Sequence, residues 1–251
     1  MSPAISRGFS TMLSRAASIV FGCALSILAS TAWAEQPDGE YLDGGSSKVG
    51  VILVHGRFGG RGDAKSPVVN PLRIAIHKHL GFHTLSITYP QSGRSRSAAD
   101  EAGNFPAAYQ RLDSAIAFLT KEKGVTQIYV MGHSLGTRIT ISYLANKSVP
   151  DLRGYIGVGI YGGGKCEEGD ANPLNTLCNL KTILRNNPNF PVIDVVAMSD
   201  EKDVHFANGR TILVSPAYRQ VRIEDADHLF RRKEDDMVNT VVDWLKQQQN
   251  K

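Results

Sequence analysis

Apolar and polar residues along this chain follow two alternating patterns. Continuous short apolar runs, rich in β-branched and aromatic residues, predict buried strands at residues 49–54, 84–89, 127–131, 155–160, 192–197 and 220–223. Between most of these runs the apolar residues repeat at helical spacing. The clearest predicted helix carries Tyr109, Leu112, Ile116 and Leu119 on one face and ends at Gly124. Further helices are predicted near residues 71–80, 137–146 and 233–246.

This order of elements predicts the fold class. Strands that alternate with helices, and that are apolar throughout rather than at every second residue, are typical of a parallel sheet covered on both faces. We therefore expect an α/β protein, a three-layer α/β/α sandwich of about six to eight mostly parallel strands. Residues 35–48 are short of apolar residues, so the sheet is expected to begin at Val49.

The first 34 residues have the pattern of a secretory signal peptide. Arg7 and Arg15 precede an uncharged apolar run at residues 16–32, and a small-x-small cleavage signal follows at residues 32–34. A membrane anchor is the alternative, but serines dilute the run, and Cys23 has a poor context for lipid attachment. We expect export to the periplasm or medium, no stable membrane insertion after cleavage, and one domain over residues 35–251.

Composition narrows the possible partners. The formal net charge of +4 is spread along 251 residues without a stripe of Lys and Arg, which argues against a nucleic-acid partner. Cys166 and Cys178 are the cysteines that remain after residue 34, and in an oxidising compartment they are expected to form a disulfide. In a reduced cytosolic protein they would be two free thiols. The oligomeric state leaves no signature in the sequence.

The stretch YVMGHSLGTRIT, residues 129–140, places a serine between two glycines. An apolar strand precedes Ser134 and a helical pattern follows it, which is the context of a nucleophile on a sharp strand-to-helix turn. Gly132 and Gly136 would be needed there because side chains would collide with the neighbouring strand and helix. Ser134 is therefore the candidate nucleophile.

A serine hydroxyl needs a base within hydrogen-bond reach, and histidine is the usual one. His228 is the best candidate, because it follows the last predicted strand and so lies at the carboxyl edge of the sheet. His133 is adjacent to the serine in sequence and is expected to pack beside the turn instead. Three histidines near the first predicted helix are expected at the surface: His77, His79 and His83.

The histidine in turn needs an orienting carboxylate, which we expect in the segment SDEKDVHF after the strand at residues 192–197. Asp203 is the first choice and Asp200 the open alternative, while Glu201 has the character of a solvated turn residue. The negative charge of a tetrahedral intermediate requires two backbone donors. The candidates are the amides of Arg57, after the strand at residues 49–54, and Leu135.

The HG turn at residues 55–56, GHSLG at 132–136, DEKD at 200–203 and ADHLF at 226–230 together resemble the α/β-hydrolase family in order and spacing, over residues 49–246. The resemblance implies a Ser134–Asp203–His228 triad, an acyl-serine intermediate, and hydrolysis of esters, thioesters or amides without metal or cofactor. Many members carry a long lid between the strands here placed at 155–160 and 192–197. The short intervening segment implies a lidless, esterase-like protein with an open site.

The expected function is that of an exported serine hydrolase acting on carboxylic esters or thioesters of small acyl groups. An acyltransferase with the same triad and a catalytically silent binding protein of the same fold remain alternatives. Arg57, Arg94 and Arg96 follow predicted strands at the same sheet edge, and they would favour an acyl substrate with a carboxylate or phosphate. The alternative is that these arginines are ordinary solvated loop charges.

Overall fold

A sheet of seven strands forms the centre of the molecule. The computed structural model describes residues 34–57, 65–91, 98–163, 165–167 and 172–250. Its strands, numbered along the chain, are β1 Gly39–Leu42, β2 Val49–Val54, β3 His83–Ile87, β4 Gln127–His133, β5 Leu152–Val158, β6 Val192–Ala197 and β7 Tyr218–Ile223. They lie in the order β1-β3-β2-β4-β5-β6-β7, with β1 antiparallel to β3 and all other pairs parallel.

Helices connect the strands and cover both faces. They are α1 Val69–Leu80, α2 Ala98–Gly103, α3 Phe105–Ala117, α4 Leu135–Asn146, α5 Thr176–Asn186, α6 Glu201–Arg210 and α7 Glu234–Gln249, and a π-helical turn at Phe118–Glu122 continues α3. Residues of α1 and α7 share one apolar core, and residues of α3, α4 and α5 share the other. This is the predicted three-layer α/β/α sandwich.

The central strands supply both cores because successive side chains point to opposite faces. In β2, Val51 and Leu53 join the core beneath α1 and α7, while Ile52 and Val54 join the core beneath α3 to α5. All six residues of β2 are buried. A strand buried on both faces is typically rich in apolar residues, which is why the apolar runs identified the interior strands.

The expected start of the sheet at Val49 is wrong. Strand β1 precedes it and pairs antiparallel with β3, in the register Gly39 opposite Ile87 and Leu42 opposite Thr84. All four residues of β1 are half-buried, because the strand lies at the sheet edge. An edge strand needs no continuous apolar run, so the polar sequence GEYL gave no signal.

The prediction of a surface position for His83 is also wrong. The residue begins β3 and is 1% exposed. Its Nδ1 lies 2.7 Å from the Tyr41 hydroxyl, and its Nε2 lies 3.1 Å from the Ser47 carbonyl oxygen. The sequence prediction placed this histidine just after α1, whereas it belongs to the following strand. His77 is half-buried and His79 is exposed.

The segment between β5 and β6 contains the disulfide and, among its described residues, one helix rather than a lid domain. Cys166 and Cys178 are bonded, and Cys178 lies in the first turn of α5. Asn175 begins this helix by accepting a hydrogen bond from the Cys178 amide. The predicted disulfide is therefore present, although the sequence had suggested only a loop here.

The described residues include no helix long and apolar enough to span a membrane. The predicted signal peptide falls on residues 1–34, of which the structure describes only the last.

Candidate active site

Ser134 lies on the sharp turn that joins β4 to α4. It has a backbone φ of 52°, which is strained for a residue with a side chain. The Ser134 amide donates to the Val158 carbonyl of β5, which fixes the turn against the next strand. A Cβ at Gly132 would lie 2.8 Å from the Thr137 Cα, and one at Gly136 would collide with the Val54 carbonyl oxygen. The two glycines are needed for the close approach that the sequence suggested.

Two further side chains reach Ser134 from separate elements. His228, in the turn after β7, places its Nε2 2.8 Å from the serine Oγ. Its Nδ1 lies 2.9 Å from both carboxylate oxygens of Asp203, in the first turn of α6. A Cβ at Gly159 would come within 3.2 Å of both the Asp203 carboxylate and the His228 ring. The structure thus brings together the three residues that the sequence selected.

Electrostatics keeps the histidine basic. Burial alone would lower the pKa of His228, but the hydrogen bond and negative charge of Asp203 outweigh it and raise the pKa above 6.5. Burial raises the pKa of Asp203, and the hydrogen bond from His228 acts against that rise. Asp203 is 1% exposed, so its charge acts on His228 with little screening by water.

Asp200, the alternative acid, has a different role in the structure. Its Oδ1 accepts hydrogen bonds from the amides of Lys202 and Asp203, both at 3.0 Å, and so caps the N-terminus of α6. Asp200 therefore orients the helix turn that carries Asp203. Ligand atoms of Asp200, Asp203 and His228 lie within 4.8 Å of one another, which is close enough for a metal ion. The hydrogen bonds from the Asp203 amide to Asp200 and between Asp203 and His228 also explain why these three side chains lie together.

Two other histidines, His133 and His55, form hydrogen bonds that hold the main chain near the site. His133 is fully buried, and its Nε2 lies 3.1 Å from the backbone carbonyl of His228. Burial, assisted by the charge of His228, lowers the pKa of His133 to about 3, so its ring is neutral and its Nε2–H donates to that carbonyl. His133 thereby fixes the backbone that carries His228. The Nδ1 of His55 lies 2.7 Å from the Gly56 carbonyl oxygen, and this contact shapes the turn after β2.

The candidate oxyanion donors lie on either side of the serine. Leu135 is the first residue of α4, so its amide has no acceptor within the helix. Arg57 follows Gly56, where a Cβ would lie 2.9 Å from the Cβ of Ser134. The main chain at Gly56 therefore passes directly beside Ser134, which brings the amide of Arg57 close to the serine.

A cavity of about 770 Å³ opens at the serine. It is lined by Gly56, Arg57, Ser66, Pro67, Glu101, His133, Ser134, Leu135, Arg138, Tyr161, Lys202, His228 and Leu229. The sequence reasoning found Arg57 here but missed Arg138 and Glu101. Arg138 carried a signal in the sequence, because it lies in the first turns of the helix that follows Ser134 and is therefore near the serine. Arg94 and Arg96 fall outside the described residues.

Similarity to known proteins extends over most of this fold. The family profile described as alpha/beta hydrolase fold matches residues 50–177. None of the curated protein sequences matches. A serine hydrolase homologue from Coxiella burnetii is similar in structure with TM-score 0.58 and 18% identity, covering 79% of this chain and 86% of that one.

Two further solved structures are similar to the same extent. A serine hydrolase without a lid from Xanthomonas campestris has TM-score 0.57 and 17% identity, covering 84% of this chain and 86% of its own. A Pyrococcus furiosus esterase has TM-score 0.58 and 17% identity, covering 82% and 85%. With the profile matching half of the sequence, this chain belongs to the α/β-hydrolase fold family.

Proposed function

We propose that this protein is a serine esterase that cleaves carboxylic ester or thioester bonds through an acyl-Ser134 intermediate. The main support is the series of hydrogen bonds that runs from the Ser134 Oγ through His228 to the buried carboxylate of Asp203. Ser134 itself lines the cavity, where a substrate carbonyl could reach its hydroxyl. The similar lidless serine hydrolase and the Pyrococcus esterase support the same class of reaction.

The geometry accounts for each proton transfer. His228 Nε2 would take the proton of Ser134 as the Oγ attacks the carbonyl carbon, and the resulting imidazolium would be stabilised by Asp203. The imidazolium would then protonate the departing alcohol or thiol. In the second half of the reaction His228 would take a proton from water as the water oxygen attacks the acyl carbon. It would then return a proton to the Ser134 Oγ as the bond between Oγ and the acyl carbon breaks and the carboxylic acid leaves.

The oxyanion of each tetrahedral intermediate would be stabilised by the amides of Leu135 and Arg57. Both are main-chain donors beside Ser134, one at the start of α4 and one after the β2 turn. The positive end of the α4 dipole lies at the same point and favours negative charge there.

We also propose that the protein is exported. The signal-like pattern of residues 1–34 and the disulfide between Cys166 and Cys178 support this, because disulfides persist in oxidising compartments. Acyl transfer to a bound alcohol is the second candidate function. The described cavity is accessible to water, and this favours hydrolysis.

A fluorophosphonate probe tests the proposal, since it reacts covalently with an activated serine. Wild-type protein should be labelled at Ser134, and Ser134→Ala should not be labelled. Ser114→Ala is the matched control, because Ser114 is exposed on α3 and bonds only its own helix at Gln110. Wild-type protein that stays unlabelled while folded would instead indicate a catalytically silent binding protein.

A further inference from the structure

A second group of charged side chains lies in the cavity that contains Ser134. Arg138 is on α4, four residues after Ser134, which precedes the first residue of that helix, and both residues line the same cavity. Arg57, Glu101 and Lys202 line the same cavity. None of these four side chains takes part in the hydrogen bonds that join Ser134, His228 and Asp203.

Arg138 is held in one orientation. Its Nη1 donates to Oε2 of Glu101 at 2.7 Å, and its guanidinium carbon lies 4.8 Å from the ring centroid of Tyr161. A Cβ at Gly162 would lie 2.8 Å from Nε, so the backbone packs closely against this side chain. Contacts on several sides therefore orient the guanidinium before any ligand arrives, which lowers the entropic cost of binding one.

One edge of this guanidinium lacks an acceptor. Within the described residues, the buried Nε of Arg138 has no hydrogen-bond partner, and the bond to Glu101 uses Nη1 on the other side of the guanidinium. Nε and Nη2 together form a side of the guanidinium that carries two parallel donors, the geometry that a carboxylate accepts. A buried donor without an acceptor is costly, and an anionic group of a ligand would remove that cost.

The charge around the cavity favours an anion as well. Glu101 is 8% exposed, and its two oxygens are divided between Arg57 and Arg138. One carboxylate therefore faces two guanidinium groups, and Lys202 adds a third cation among the described lining residues. Asp203 does not line the cavity, and its charge is directed at His228. The described lining residues thus include three cationic side chains and one carboxylate.

We infer that Arg138 binds a carboxylate on the acyl part of the substrate, so that the preferred substrates are half-esters of short dicarboxylic acids. This inference rests on the proposed esterase function of Ser134. Ser134 and Arg138 line the same cavity, so one acyl chain can place its ester carbonyl at the serine and its free carboxylate at the guanidinium. Glu101 and Tyr161 contact the Arg138 guanidinium, so they would act as positioning residues that hold it in place.

Two 4-nitrophenyl esters that differ in one charge test the inference. The first is the half-ester of glutaric acid, and the second is the corresponding ester of glutaramic acid, in which a neutral amide replaces the free carboxylate. After subtraction of the enzyme-free rate, the ratio of kcat/KM for the first to that for the second reports the charge preference. Wild-type protein should prefer the anionic ester roughly tenfold to a hundredfold, chiefly through KM, and less at high salt.

Arg138→Gln should reduce this ratio to about one, because the amide cannot replace the two charged donors. Arg138→Lys should give an intermediate ratio. Arg219→Gln, which removes one positive charge from the exposed residue Arg219 on β7, should leave the wild-type ratio. Free glutarate should also inhibit wild-type protein competitively and more strongly than glutaramate, a comparison that needs no variant.

The outcomes separate the two proposals. Ser134-dependent hydrolysis of both esters at equal efficiency, with no inhibition by glutarate, would overturn the inference and leave the esterase proposal intact. Hydrolysis of neither ester by folded protein, with no probe labelling, would overturn the esterase proposal itself. A preference for a carboxylate placed only on the leaving group, as in 4-carboxyphenyl compared with 4-carbamoylphenyl pentanoate, would overturn the assignment to the acyl side.

Discussion

Asp203→Asn should nearly abolish ester hydrolysis while leaving the protein folded. His228 Nδ1 lies 2.9 Å from both carboxylate oxygens, so an asparagine in either orientation places an NH₂ group as well as an amide oxygen near Nδ1. The NH₂ group can donate to an unprotonated Nδ1, which favours the tautomer with its proton on Nε2, and the neutral amide cannot stabilise the imidazolium. A protonated Nε2 could not accept the proton of Ser134, whose Oγ lies 2.8 Å away.

The expected size of the loss follows from the charge that is removed. Two unit charges about 4 Å apart attract by ~4 kcal/mol at an effective dielectric constant of about 20, which corresponds to about a thousandfold in rate. The unfavourable tautomer adds to this, so kcat should fall by roughly 10³ to 10⁴. Hydrolysis of 4-nitrophenyl acetate at saturating substrate is the assay, with circular dichroism to confirm folding.

Asp200→Asn is the matched control for the same charge change. Asparagine caps helices about as well as aspartate, so the amides of Lys202 and Asp203 should keep their acceptor and kcat should stay within about threefold. The reasoning would be refuted if Asp203→Asn kept more than a tenth of wild-type activity. An equal loss in Asp200→Asn would assign the catalytic charge to Asp200.

Three further predictions concern pH and stability. Because His228 must be neutral to accept a proton and its pKa is raised, kcat should increase with pH around a midpoint above 6.5. If the midpoint did not fall in Asp203→Asn, the charge of Asp203 would not be the cause of the raised pKa. Arg210→Met leaves the fully buried Asp194 carboxylate without its ion-pair partner, so the free energy of unfolding measured in urea should fall by about 3–5 kcal/mol. Arg222→Met, at an exposed position, is the control and should lower it by under ~0.5 kcal/mol. Reduction of the disulfide between Cys166 and Cys178, which are 12 residues apart, should lower stability by about 3 kcal/mol in the chain-entropy model, and an unchanged Tm would contradict this.

The part of the fold that the sequence predicted correctly is the part where burial dictates residue type. The strands β2 and β6 are buried throughout and mainly apolar, with the exception of Asp194, whose carboxylate is paired with Arg210. Strand β1 and helix α6 were missed because both are rich in polar residues. The start of α6 still carried a readable signal, since Asp200 stands where an N-cap belongs and acidic residues follow it.

The candidate site divides in the same way. Ser134 and His228 were readable because each lies next to a strand end whose position the apolar pattern fixes. The choice of Asp203 over Asp200 depends on a helix that the sequence did not reveal. The partnership of Arg138 with Glu101 joins residues 37 apart, on different helices, and only the packing of α2 and α4 brings them together.

The most direct test of the central claim is whether an acyl group forms on Ser134 during turnover. Wild-type protein mixed with 4-nitrophenyl acetate, quenched in acid within milliseconds and digested, should yield the peptide containing Ser134 with one added acetyl group. Ser134→Ala should hydrolyse the ester no faster than free solution and carry no acetyl group on that peptide. Undiminished hydrolysis by folded Ser134→Ala would contradict the account.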